Sequence, residues 1–117
     1  MTAAKKIRTN VQIAQRNDLY RTCMIPCPSL KIVLTECVRE SEKREDIITA
    51  VRAYQFSGSP DDGNNPYGEN DFGSFEVAGT KYFFKFDYYA PSLDYGADPY
   101  YEAAVVHVLT IMEASEY

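Results

Sequence analysis

Phe72-Gly73-Ser74-Phe75-Glu76-Val77-Ala78-Gly79-Thr80-Lys81-Tyr82-Phe83-Phe84-Lys85-Phe86-Asp87-Tyr88-Tyr89 is the stretch that decides the fold. It divides into two runs, at about 72–78 and 81–89, that alternate with the period of two a pleated strand imposes. Gly79 lies at their junction and marks a hairpin. The turn is either Ala78-Gly79 in type I′ geometry or Gly79-Thr80 in type II′ geometry. These registers differ by two residues, so both leave the same face inward. Phe75, Val77, Tyr82, Phe84, Phe86 and Tyr88 share that face. Glu76, Phe83, Lys85, Asp87 and Tyr89 make a half-polar opposite face.

Downstream of the hairpin, Pro91, Gly96 and Pro99 punctuate a connection that leads to the apolar run Ala104 to Met112. Its length and its Val and Ile content predict a central buried strand. Upstream, thirteen of the fifteen residues 57–71 are Ser, Gly, Pro, Asp or Asn. No helix or strand survives that composition, and loops of this length tend to be functional or disordered. Ile47, Ile48, Val51 and Tyr54 then give a helical stripe, with Ser41 as N-cap, Glu42 in the first turn and Gly58 at the stop. Leu30 to Glu36 predicts a strand. Residues 7–21 predict a first helix, with Ile7, Val11 and Ala14 at i, i+4 and i+7 and with Leu19 and Tyr20 widening the apolar surface. Pro26 and Pro28 prevent its continuation. The expectation is an α+β fold in one domain, 1–117. Two helices cover one face of a four-stranded, mainly antiparallel sheet in the order α-β-α-β-β-β.

The 117 residues, 45% hydrophobic and 25% charged, suit a single soluble core. No apolar run reaches the ~18 residues of a membrane span, and Lys5, Lys6 and Arg8 have no apolar stretch behind them to make a secretory signal. Three cysteines (Cys23, Cys27, Cys37) is an odd number, which predicts reduced, partly buried thiols in the cytoplasm. Those cysteines and His107 could be assembled into a zinc site. With no second Cys pair, no metal is expected. Charge is divided unevenly along the chain. Residues 1–53 hold ten Lys/Arg against six Asp/Glu, and residues 54–117 hold two against eleven. The acidic half disfavours direct nucleic-acid binding and favours a protein partner with a basic surface.

Three blocks carry a family resemblance. They are Asn65-Pro66-Tyr67-Gly68-Glu69-Asn70-Asp71-Phe72-Gly73-Ser74-Phe75-Glu76, the aromatic strand Tyr82 to Tyr89, and the ending Val108-Leu109-Thr110-Ile111-Met112 through Tyr117. From the first helix onward the chain resembles the Domain of Unknown Function 3768 family, small proteins frequent in proteobacteria and on their plasmids and phages. The resemblance implies no assigned reaction. It implies a His after Gly-Glu where this chain has Asn70, and an indole where it has Phe84. Were that His a catalytic base, this chain would lack it.

No catalytic constellation and no cofactor motif emerges. Glu69 and Asp71 could divide acid and base roles or bind a cation with Asp61 and Asp62, but turn chemistry explains them more simply. His107, the only histidine, is expected as a satisfied core residue. Tyrosine is concentrated, with six of ten between 82 and 101. The candidate partner surface is therefore acidic and tyrosine-rich. It takes Asp61, Asp62, Tyr67, Glu69 and Asp71 from one loop, and Asp94, Tyr95, Asp98, Tyr100 and Tyr101 from another. The expected function is a non-catalytic, protein-binding accessory protein of a mobile element, most concretely an anti-CRISPR-like inhibitor of a host-defence nucleoprotein complex. It has no membrane or cofactor. The alternative is a small enzyme using the 66–73 loop and His107.

Overall fold

The hairpin forms as the alternation requires. In the computed structural model, which describes residues 5–57 and 65–117, Phe72–Val77 (β2) pairs antiparallel with Thr80–Tyr89 (β3), Gly73 lying opposite Phe84 and Val77 opposite Thr80. Ala78 and Gly79 make the turn with φ of 51° and 81°. Two successive positive φ values define type I′, and that settles the register. Val106–Glu113 (β4) pairs antiparallel with β3 and parallel with Leu30–Leu34 (β1), giving the sheet order β1-β4-β3-β2. The apolar run near the end of the sequence is thus the central strand it was expected to be.

Among the described residues three helices join the sheet: Asn10–Cys23 (α1), Glu36–Arg39 (α2) and Arg44–Ala53 (α3). The fold class is α+β, with a mainly antiparallel sheet and one parallel pair. The short α2 replaces the end of the expected first strand. The chain turns at Thr35, whose hydroxyl donates to Glu116 at 2.6 Å, and this delivers Val38 fully into the core. α3 buries Ile47 and Val51 and leaves Ile48 and Tyr54 half-buried, so the expected stripe is right. It ends at Ala53. Gly58, expected at its stop, lies outside the described residues, as do Asp61 and Asp62. Ser41 accepts the Lys43 amide rather than capping α3 directly.

The first helix departs from its expected register. α1 starts at Asn10, not Ile7, and both Ile7 and Val11 are exposed. The buried residues are Ile13, Ala14, Asn17 and Arg21. Two polar side chains occupy the packed face because each is supplied with partners there. Arg21 donates to the carbonyl oxygen of Val51 at 2.8 Å, satisfying the C-terminus of α3, and its guanidinium lies 5.5 Å from the Phe84 ring centre. A capping box fixes the start of α1. Thr9 accepts from the Gln12 amide, and the Gln12 side chain accepts from the Thr9 amide.

The core lies between the helices and one face of the sheet, where Leu30, Val38, Ile47, Val51, Phe84, Phe86, Leu109 and Ile111 meet. Phe84 is fully buried and takes Tyr54 edge-on at 5.1 Å. Its ring covers Gly73 so closely that a Cβ there would stand 2.2 Å from it. On the other face Phe83 is half-buried, beside Phe72 at 5.1 Å and Tyr117 at 5.5 Å. Among the described residues, no helix is long and apolar enough to cross a membrane.

Phe84→Ala should therefore cost about 3–5 kcal/mol, and Phe83→Ala clearly less. Denaturant titration of both variants checks this. Equal losses would mean that the inward face is misassigned.

Candidate functional site

Two loops converge at the end of the sheet where β3 stops and β2 and β4 begin. One spans residues 65–71 and the other 90–103. The segment before α1 ties them down. Ile7 donates its amide to the Tyr100 carbonyl at 2.7 Å, and Asn10 donates to the Tyr67 carbonyl at 3.0 Å. The Arg8 guanidinium spans the carbonyls of Pro99, Glu102 and Ala103 at 2.6–2.9 Å. These contacts bring together loops that lie apart in sequence.

Below them lies a buried polar chain. Asn17 of α1 is fully buried, and its Nδ2 donates to the Glu69 carbonyl at 3.1 Å and to Tyr88 Oη at 2.9 Å. With the amide nitrogen so engaged, Oδ1 faces His107 of β4 and accepts from its Nδ1 at 2.7 Å. The imidazole therefore carries its proton on Nδ1. Tyr88 passes the polarity on by donating to Glu69 Oε1 at 3.3 Å, and Tyr100 donates to Glu69 Oε2 at 2.6 Å. The bonds from His107 through Asn17 and Tyr88 run in one direction to the Glu69 carboxylate, an arrangement in which they polarise one another. Burial, with Glu69 nearby, pushes both tyrosine hydroxyls above their ordinary pKa. Burial, and then the like charge of Glu69, raises that of Asp71. Burial, reinforced by Arg16 and Arg8, holds His107 down at about 4, so it is neutral at pH 7. An amide between His107 and the carboxylate fixes the tautomer and does not relay a proton.

This placement corrects the predicted surface. Glu69 is only 8% exposed because two tyrosine hydroxyls draw it inward, so it is no surface acid. Tyr100 is half-buried with its hydroxyl spent on Glu69 and Lys6 over its ring at 4.6 Å, so it is no free anchor. Asp71 is half-buried as well. Tyr67, Asp94, Tyr95, Asp98 and Tyr101 remain exposed. The cysteines are free as expected, but all three are exposed rather than partly buried. Among the described residues no group of three His, Cys, Asp or Glu could hold a metal ion. Sequence reasoning missed Asn17 and Tyr88 as partners of His107. The one available signal was Asn17 itself, a polar residue four positions after Ile13 on a helix face.

The family model described as Protein of unknown function (DUF3768) matches residues 34–116. The chain belongs to this family. The match begins at residue 34 rather than at the first helix, so it takes in Glu69, Tyr88, Tyr100 and His107 but not Asn17. No curated protein and no solved structure matches the chain. Asn70, where the resemblance implied His, has φ 55° and bonds Asn65 and Asp18. It stitches the 65–71 turn to α1.

Because His107 is the only histidine, its titration can be followed alone. Its folded pKa of about 4 lies below the ordinary 6.5, so between those values the unfolded chain binds more protons. Stability present above pH 6.5 should fall as pH drops toward 4, by about 3 kcal/mol. Urea melts at several pH values test this, together with the imidazole resonance. Asn17→Asp, which sets a carboxylate against Nδ1, should raise that midpoint well above 4.

Proposed function

We propose that the chain is a non-catalytic binding protein that acts in the cytoplasm. It docks a partner with a basic surface through the loop end of the sheet. In its most concrete form it is an accessory protein of a mobile element that inhibits a host-defence nucleoprotein complex in the anti-CRISPR manner. The observation that carries this reading is the exposure of Tyr67 (75%), Tyr95 (65%) and Tyr101 (47%) together with the exposed acids Asp94, Asp98 and Glu102. Rigid tyrosines are favoured anchors at interfaces, while rim carboxylates steer a basic partner and keep phosphate away. The weak base left at His107, whose ring bonds Asn17 and no nucleophile among the described residues, also fits a protein without turnover.

The second reading is a small enzyme using Glu69 of the 66–73 loop and His107. One observation favours it: Asn17 and Tyr88 link these two residues in a single hydrogen-bonded chain. Alanine at Glu69, Asp71 or His107 that abolished a turnover while the fold persisted would establish it.

A competitive pull-down from host lysate tests the first reading, which expects a stoichiometric nucleic-acid-binding complex. On that purified partner, Asp94→Lys with Asp98→Lys should slow association and flatten its salt dependence. Tyr95→Ala or Tyr101→Ala should instead speed dissociation, by about tenfold or more. Unchanged association for the double reversal would remove the electrostatic part of the proposal.

A further inference from the structure

On the other side of α1 lies a groove of about 1080 Å³, just above the ~300–1,000 Å³ range of small-molecule sites, between that helix and the approach to β4. None of the docking residues lines it. Its walls are more apolar than polar, with Ile13 at the base and Ile7 and Leu19 exposed along it. Neutral polar groups line it as well, among them Gln12, Gln15, Ser29 and His107, and its charged groups are of one sign. The chain has 17 Asp and Glu, yet no described acidic residue lines this groove, whereas Arg8 and Arg16 both do. Neither arginine makes an ion pair among the described residues. Arg8 is held by backbone carbonyls. Arg16 lies over the Tyr20 ring at 5.6 Å and is free to meet an anion.

His107 supplies a second requirement. Its Nδ1 proton is committed to Asn17, while Nε2 makes no hydrogen bond among the described residues. Arg21 Nε is the sole fully buried side-chain nitrogen or oxygen without a partner among those residues, so His107 Nε2 is not fully buried, and the residue lines the groove. In the neutral imidazole this atom is an acceptor. The Tyr20 ring adjoins both groups, 5.2 Å from the imidazole and 5.6 Å from the Arg16 guanidinium.

We propose that this groove binds a small hydroxylated aromatic carboxylate. Its carboxylate pairs with Arg16 in the field of Arg8, its ring lies against Tyr20 and Leu19, and its hydroxyl donates to Nε2 of His107. A guanidinium matches a carboxylate with two parallel hydrogen bonds, and the unpaired acceptor selects a donor on the ligand. The site uses none of the docking tyrosines, so the failure of either proposal leaves the other standing.

The test titrates the isotope-labelled full chain with 4-hydroxyphenylacetate, with phenylacetate, which lacks the donor, and with methyl 4-hydroxyphenylacetate, which lacks the charge. The hydroxy acid should bind saturably with shifts at Leu19, Tyr20 and His107. Each analogue should bind about tenfold more weakly. Arg16 is exposed, so Arg16→Gln should fold normally, abolish the preference for acid over ester, and leave ester binding in place. No saturable shift at millimolar ligand, equal binding of acid and ester, equal binding with and without the hydroxyl, or an acid preference that survives Arg16→Gln would each overturn the assignment.

Discussion

One carboxamide holds the loop end of the sheet together. Asn17 is completely buried and spends both its amide protons and its carbonyl oxygen on three different parts of the chain: the 65–71 loop, β3 and β4. A buried amide left unpaired costs free energy comparable to the bonds it could have made. The pitch of α1, the inward turn of Glu69 and the ring orientation of His107 are therefore not independent choices. Moving any one of them leaves a polar atom in the core without a partner.

The arginines extend the same logic outward. Arg8 and Arg21 place their charges on backbone carbonyls of loop 99–103 and the end of α3, Arg21 adding an ion pair to Asp18 at 3.3 Å. Cations engaged this way fasten loops and helix ends, but they neutralise few of the carboxylates. Asp94 and Asp98 stay exposed and belong to no ion pair among the described residues. The tyrosine-bearing surface thus keeps its negative field, while the groove on the other side of α1 keeps a positive one.

The parts of this architecture legible in the sequence are those decided by local periodicity. Phe75, Tyr82, Phe84 and Phe86 alternate strictly, so their shared face follows from strand geometry. Val51 and Ile47 mark α3 for the same reason. Asn17 and Arg21 defeated the pattern because they are polar residues on a buried face, and only partners distant in sequence make that placement favourable. Glu69 was misplaced for the converse reason. A carboxylate in a Gly- and Asn-rich turn has every local reason to face water, and the tyrosine hydroxyls that capture it come from positions 88 and 100. The parallel pairing of β1 with β4 was likewise out of reach, since nothing near Leu30 encodes a neighbour at His107.

That pairing also sets an order of events. β4 is the last strand in the sequence yet sits in the middle of the sheet, between β1 and β3. The β2–β3 hairpin, closed by two residues, is local and forms quickly, whereas β1 waits for a neighbour some seventy-five positions away. During synthesis the hairpin therefore emerges with Phe84 and Phe86 ready and its β3 edge unpaired, and that edge is open to adventitious strands until β4 arrives. The helices that precede the hairpin can shelter its apolar face, but only the final strand can close its β3 edge. Interrupted translation shortly before Val106 would release a species rich in exposed aromatic strand, the kind of molecule that chaperones and proteases remove.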